Sequence, residues 1–313
     1  MVVDNLLIYL ISFIAIWLGA GLVISSVDGF SRRLGVSSFA VSFLVLGLLT
    51  SIPEFAVGLT AISENDPEIF VGNLLGGITV IFLFIIPVLA ILGNGIRLTH
   101  KLDKKRLISS LIVIAAPTFF VIDHRVTNIE GAILIALYVA LLIFIQRENR
   151  GIFGEHNERL MHIRSYSLLD VLKLLLGIGI VFISSRFIVD QTIFFSQFLR
   201  VSPFVVSLVI LSLGTNLPEL SLALRAVINH QKDIALGDYL GSAAANTLFF
   251  GIFTLLNGGE VLTVNSFLTT FVFIALALGL FYHFSRSQRN ISRNEGAILM
   301  LMYIIFAIFE FTK

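Results

Sequence analysis

Two glutamates in this sequence stand where a carboxylate is most expensive. Glu54 closes Thr50-Ser51-Ile52-Pro53-Glu54 inside the run VSFLVLGLLTSIPEFAVGLTAI, and Glu219 closes Thr215-Asn216-Leu217-Pro218-Glu219 inside VVSLVILSLGTNLPELSLAL. A charge in the middle of an apolar helix costs about 2.5–3.5 kcal/mol even on the lenient scales. Each glutamate follows a proline, which removes a backbone donor and crowds the preceding turn, so both helices are expected to kink or open there. A buried ionisable residue at a helix break points to an ion or substrate site. Two carboxylates in a low dielectric repel each other unless a cation or a proton lies between them. The opened backbone supplies carbonyls at Thr50 and Thr215, and Ser51 and Asn216 add side-chain oxygens. Such an all-oxygen set suits hard ions such as Ca²⁺ or Na⁺ rather than a soft transition metal.

A second element accompanies each break. Gly72-Asn73-Leu74-Leu75-Gly76-Gly77 follows the first, and Gly237-Asp238-Tyr239-Leu240-Gly241-Ser242 with Asn246 follows the second. Small residues allow close approach to the broken helix. Ser242 and Asn246 are four apart and share a face that can point at Glu219. Their counterparts Gly77 and Ile81 offer no oxygen, so the expected site is lopsided. Asn73 and Asp238 read as helix caps over free amides, with a role in ion entry as the alternative. Asp28, Asp190 and Arg186 read as interfacial, Glu64, Asp66 and Glu68 as a solvated acidic loop, and Lys173 as a snorkelling side chain. The six histidines show no metal-ligand spacing, and there is no cysteine to supply a thiolate site or nucleophile. With no catalytic triad, phosphate loop or acid/base pair in a soluble cleft, the reading is not that of an enzyme, and it needs no cofactor.

The elements that must hold these groups are membrane helices. Of 313 residues, 57% are hydrophobic and only 13% charged, where a soluble domain carries about 25%. Apolar windows of about twenty residues predict ten spans near 5–27, 37–63, 68–93, 107–123, 128–146, 166–190, 201–228, 233–256, 264–284 and 295–311. The N-terminal run carries an acid and no basic n-region, and its length suits a retained first span rather than a leader. Lys and Arg collect in the loops at 97–106, 147–164 and 285–293. By the positive-inside asymmetry those loops face the cytoplasm and both termini face outward, in a multi-pass protein of the cell membrane. The basic residues form no stripe, so no nucleic-acid partner is indicated. The expected partners are the bilayer and the transported cations; the oligomeric state stays open, a monomer included.

The chain also repeats itself. Shifted by 165 residues, 34–86 aligns with 199–251 without a gap, placing Thr50, Pro53, Glu54, Gly72 and Gly76 on Thr215, Pro218, Glu219, Gly237 and Gly241. Apolar bias explains leucine on leucine; it does not explain Thr, Pro, Glu and Gly. Five spans per half is an odd number, so the halves enter the membrane with opposite orientations. The reading is an all-α membrane protein of ten transmembrane helices in two inverted five-helix repeats. The first repeat is 1–146 (block 37–86), the linker 147–165 and the second repeat 166–313 (block 201–251).

TSIPE with VGNLLGG, and LGTNLPE with LGDYLGSAAAN, resemble the two signature repeats of the sodium/calcium exchanger family. The likeness extends over essentially the whole chain. It implies a central cation held by Glu54 and Glu219 with the carbonyls of Thr50 and Thr215. It further implies flanking Na⁺ sites drawing on Ser51, Asn216, Ser242 and Asn246. The chain departs from the family at Gly77 and Ile81, where polar residues are usual. The expected function is Ca²⁺/Na⁺ antiport by alternating access, in which the first span of each half moves against spans 2, 3, 7 and 8. Antiport of Ca²⁺ or another cation against H⁺ is one alternative. A cation channel, or a transport-inactive cation-binding membrane protein, is the alternative of another class.

Overall fold

The computed structural model describes residues 2–31, 43, 46–97, 104–153, 168–228, 232–258, 261–262, 267–287 and 290–312. They form helices joined by tight turns and two short strand pairs. Helix α1 (Val2–Ser31) leads into a broken helix, α2 (Gly47–Thr50) and α3 (Ile52–Ser63), and then α4 (Pro67–Val80) and α5 (Ile86–Leu92), joined by a wide π turn. Next come α6 (Lys104–Phe120), α7 (Asn128–Phe153) and α8 (Leu168–Leu199). A second broken helix follows: α9 (Pro203–Val206), a π turn, α10 (Ser212–Thr215) and α11 (Leu217–Ile228). The described chain ends with α12 (Lys232–Leu256), α13 (Leu268–Ser287) and α14 (Arg293–Thr312).

Among the described residues seven helices are long and apolar enough to cross a membrane, and an eighth span is counted if the second broken helix, bent by 43°, is one. The 17-residue α6 opens on Lys104, Lys105 and Arg106, and α3 has 12 residues. Helix α7 runs on to Phe153, into the expected linker 147–165. The remainder of that linker lies outside the described residues, as do Lys101, Arg159, Arg164 and Arg289 of the basic loops.

Burial separates centre from periphery. The spans Pro67–Leu92 and Leu236–Leu256 are 83% and 78% buried within the protein, against 22–39% for the other five. The peripheral helices carry their exposed leucines, isoleucines and phenylalanines outward, as a lipid-facing surface requires. Helix α1 lies along α8 with Gly19 and Gly177 in mutual contact: a Cβ on Gly177 would stand 2.7 Å from the Gly19 carbonyl. The Tyr9 and Thr192 hydroxyls, 2.8 Å apart, tie the same two helices.

Contacts recur at a separation of 165. One strand pair joins Ile96 to Ile291 and Arg97 to Asn290; the other joins Val126 to Val261 and Arg125 to Leu262. Adding 165 to 96 and 97 gives 261 and 262, and to 125 and 126 gives 290 and 291, so each ladder is the image of the other. Two capping boxes follow the same rule. Glu130 Oε2 accepts from the Thr127 N–H at 2.7 Å, and Glu295 Oε2 from the Ser292 N–H at 2.7 Å, which starts α7 and α14 alike.

Candidate cation site

The two breaks are built from the same parts. A proline cannot donate, so each helical ladder is interrupted and resumes with Phe55 N–H on Ser51 O (3.1 Å) and Leu220 N–H on Asn216 O (3.1 Å). The carbonyls of Thr50 and Thr215 sit at the interruption. A π turn over Ser207–Leu211 precedes the second break. By admitting an extra residue it rotates the segment that follows. Glycines bring the halves together. A Cβ on Gly47 would stand 2.5 Å from the Gly241 carbonyl carbon, and one on Gly241 would run into the Phe43 carbonyl. A Cβ on Gly76 would meet the Leu208 carbonyl in the corresponding place.

All eight site residues named from the sequence are buried: Thr50, Ser51, Glu54, Thr215, Asn216, Glu219, Ser242 and Asn246 are each at most 1% exposed. Ser242 Oγ donates to Glu219 Oε1 at 2.8 Å and lies 2.7 Å from Ser51 Oγ, which reaches the Gly47 carbonyl at 2.7 Å. Two hydroxyl protons thus serve three short O···O contacts, and one further positive charge would balance the chain of oxygens. Asn246 Nδ2 donates to the Leu74 carbonyl at 3.3 Å, and its Oδ1 has no partner. Asn216 Nδ2 donates to the Ser212 carbonyl at 2.9 Å.

Asn73 and Asp238 are corrected by the structure. They are not helix caps, because α4 begins at Pro67 and α12 at Lys232, leaving both residues well inside their helices. Instead they bridge the halves: Thr215 Oγ1 donates to Asn73 Oδ1 at 3.0 Å, and Thr50 Oγ1 to Asp238 Oδ1 at 3.0 Å. The pairs again differ by 165, since 50 becomes 215 and 73 becomes 238. The legible signal was that a polar residue six positions after a helix-opening proline, as at Pro67, is already in the second turn. Glu64 pairs with Arg186 at 3.8 Å, both partly exposed; Asp190 is exposed, and the Asp28 side chain lies outside the described residues.

The acceptors outnumber the donors. Glu54 Oε1 and Oε2, Glu219 Oε2, Asp238 Oδ2, Asn216 Oδ1 and Asn246 Oδ1 are buried with no hydrogen-bond partner. Glu54 interacts electrostatically with both Glu219 and Asp238. No lysine, arginine or histidine is buried among the described residues. An unpaired buried charge costs several kcal/mol, so these oxygens call for cations or protons as their partners. Among the described residues no three acidic, histidine or cysteine side chains converge as a metal cluster, so a bound ion would draw on hydroxyl, amide and carbonyl oxygens too. An open groove of about 450 Å³, lined by Leu59, Thr60, Ile62, Ser63, Phe182 and Leu256, includes neither glutamate. By contrast Glu310, also buried, accepts from Thr270 Oγ1 at 2.8 Å in the outer helices.

Apolar helices around a buried, oxygen-lined centre define an integral, multi-pass helical membrane protein with a candidate site for hard cations. The family model for "Sodium/calcium exchanger protein" matches residues 5–146 and 170–312, and the chain belongs to that family. Among its relatives, the sodium/calcium exchanger MaX1 of Methanosarcina acetivorans is 26% identical, with 99% of each chain covered. The putative antiporter CaxA of Alkalimonas amylolytica is 26% identical over 94% of this chain and 97% of its own. The inner membrane protein YrbG of Escherichia coli is 27% identical over 74% of this chain and 73% of its own. The fold is that of the solved sodium-calcium exchanger NCX_Mj soaked with 10 mM Na⁺ and zero Ca²⁺, with a TM-score of 0.70 at 22% identity, covering 97% of this chain and 98% of that one.

Proposed function

We propose that this protein is a secondary active antiporter exchanging Ca²⁺ for Na⁺ by alternating access. The observation that carries the reading is the set of unpartnered buried oxygens around Glu54 and Glu219 at two helix breaks. Glu54 and Glu219 hold the divalent ion, with the carbonyls of Thr50 and Thr215. Ser51, Asn216, Ser242 and Asn246 line the flanks. Exchange is obligatory because the empty site is an uncompensated cluster of buried carboxylates, and carrying it across the membrane without an ion is costly. The framework is ten transmembrane helices in two inverted repeats, residues 1–146 and 166–313 about a cytoplasmic connection, with both termini outside the cell membrane. The strand pairs, capping boxes and Thr–Asn and Thr–Asp bridges that recur at a separation of 165 support it. Helices α1 and α8, closely packed through Gly19 and Gly177, move as a pair against the central helices.

A second reading, Ca²⁺/H⁺ antiport, is favoured by one observation. Gly77 and Ile81 withhold oxygens where the second half has Ser242 and Asn246, and a protonated carboxyl needs fewer neighbours than a bound Na⁺. Proteoliposomes loaded with Na⁺, or holding a proton gradient instead, separate the two by uptake of ⁴⁵Ca²⁺. Uptake driven by Na⁺ and lost in both Glu54→Gln and Glu219→Gln is the expected result. Proton-driven uptake alone selects the second reading, and no gradient-dependent uptake removes Ca²⁺ antiport altogether.

A further inference from the structure

The repeat makes each half a control for the other. Away from the cation site, the two interfaces that α1 and α8 make with the broken helices are held in different ways. Helix α1 carries the single tryptophan of the chain, Trp17, fifteen residues after Val2 and nine before Ser26 in its span. Tryptophans gather at the ends of membrane spans, where the indole N–H meets water or headgroups; this one sits well inside. At that depth hydrocarbon offers the N–H no acceptor. Trp17 Nε1 donates instead to Ser221 Oγ on α11 at 2.6 Å. Ser221 gives its own proton to the Leu217 carbonyl at 2.8 Å, so its lone pairs are free to accept. One turn earlier on the same face of α1, Phe13 lies against Gly214, where a Cβ would run into its ring. Gly214 and Ser221 lie on either side of the second break, so α1 is fastened across it.

The counterpart interface, α8 on α3, is built otherwise. The residues 165 positions from Trp17 and Ser221 are Phe182 and Ala56, whose side chains neither donate nor accept. Phe182 lines the open groove beside Leu59, Ile62 and Leu256. A hydrogen bond does cross this interface, between Thr60 Oγ1 and Ser185 Oγ at 2.8 Å, but its loss orphans nothing. Thr60 has the Ala56 carbonyl of its own helix at 2.9 Å, and Ser185 has the Phe182 carbonyl at 2.8 Å. The nearby Glu64–Arg186 pair is partly exposed, where such pairs contribute little. When α8 draws away from α3, both hydroxyl protons keep an acceptor. The indole proton loses its acceptor once α1 leaves Ser221, and a donor left unpartnered away from water forfeits the full worth of its bond.

We propose that Trp17 is a positioning residue of the alternating-access step: its bond to Ser221 latches α1 to α11 and holds the transporter in the end state seen here, while the α8–α3 interface releases without an orphaned donor. The inference rests on the exchanger reading and adds to it the contact that resists the movement. A bond made in one end state and broken before the helices pass each other slows departure from that state. The two end states are therefore unequally populated, and the inequality comes from one contact outside the ion site.

The other half of the chain supplies the test. Ser221→Ala and Trp17→Phe each install the side chain that already stands at the equivalent place, Ala56 or Phe182. Na⁺-driven ⁴⁵Ca²⁺ uptake is measured with the full chain in proteoliposomes, per folded protein. Each single variant is expected to raise the maximal rate about fivefold, the factor that one net hydrogen bond is worth. The double variant is expected to match either single one, because both changes remove the same bond. Unchanged or lowered rates, or effects that multiply in the double variant, overturn the proposal. Ser221→Ala keeps the only tryptophan, so its emission reads the bond directly. Without an acceptor the indole is expected to emit at shorter wavelength than in the parent, and identical spectra would mean that no latch exists in the bilayer. Parent protein without gradient-driven uptake removes the exchanger reading itself, whereas parent uptake with variants of unchanged rate defeats this inference alone.

Discussion

Replacing Glu54 with glutamine separates what the carboxylate costs from what it binds. Both Glu54 oxygens are buried and lack a hydrogen-bond partner, and Glu219 and Asp238 lie within electrostatic range. Without ions the wild-type protein therefore holds an unpartnered carboxyl group beside two others. A buried polar group left unpaired costs about 1–3 kcal/mol, more if charged. The glutamine amide cannot ionise, and Asn216 Oδ1 and Asn246 Oδ1 are buried acceptors without a donor. Ion-free Glu54→Gln is expected to be more stable than the parent by about 1–3 kcal/mol. For a chain of 313 residues, an unfolding entropy of about 2.1 cal/mol/K per residue converts that gain to roughly 2–5 °C in Tm. Calcium acts in the opposite sense. At a hundred times its Kd a ligand adds about 2.7 kcal/mol to the parent, or roughly 4 °C by the same conversion, and the variant is expected to show no such shift. Thermal melts of detergent-solubilised protein in chelator and in Ca²⁺ read both quantities. A variant that melts lower than the parent in chelator, or that keeps the full Ca²⁺ shift, refutes the argument that Glu54 is held for an ion.

Two further outcomes follow from the geometry around the site. Gly241→Ala drives a methyl into the Phe43 carbonyl, backbone that cannot rotate away, and overpacking of this kind costs about 1–3 kcal/mol; a lowered Tm with reduced folded yield checks it, and an alanine melting as the parent does would mean that the two halves do not touch there. At the tight turn before α4, burial and then the neighbouring Glu68 push Asp66 up to about 6. The folded protein holds that proton more tightly than the unfolded chain, so this contribution to stability is present at low pH and is lost as pH rises from about 4 to about 6. Asp66→Asn is expected to flatten the pH dependence of Tm across that window and to raise Tm at neutral pH.

Local pattern made much of this protein legible in advance. A proline in an apolar run announces a break wherever it falls, and a glutamate beside it has no local partner. Both facts belong to a few consecutive residues. The repeat was equally visible, because identities at Thr, Pro, Glu and Gly survive a shift of 165 residues. The misreading of Asn73 and Asp238 shows where local evidence ends. A short polar residue beside glycine is a reasonable cap when the helix start is placed a turn too late, and with Pro67 or Lys232 as the start it is an interior residue that needs a partner from outside its own helix.

Chain order by itself determined the membrane class, the paired breaks, the oxygen-bearing residue types and the offset that relates them, since each depends on composition or on spacing along one helix. The tertiary structure alone decided which oxygens meet. Thr50 finds Asp238 across 188 residues, Ser51 finds Ser242 across 191, and Thr215 finds Asn73 across 142. It also decided that the room beside Gly77 is taken by two amide nitrogens. A hydrogen bond between helices depends on how glycine contacts set their separation and on how π turns rotate their faces, and neither quantity is written in the spacing of either helix alone.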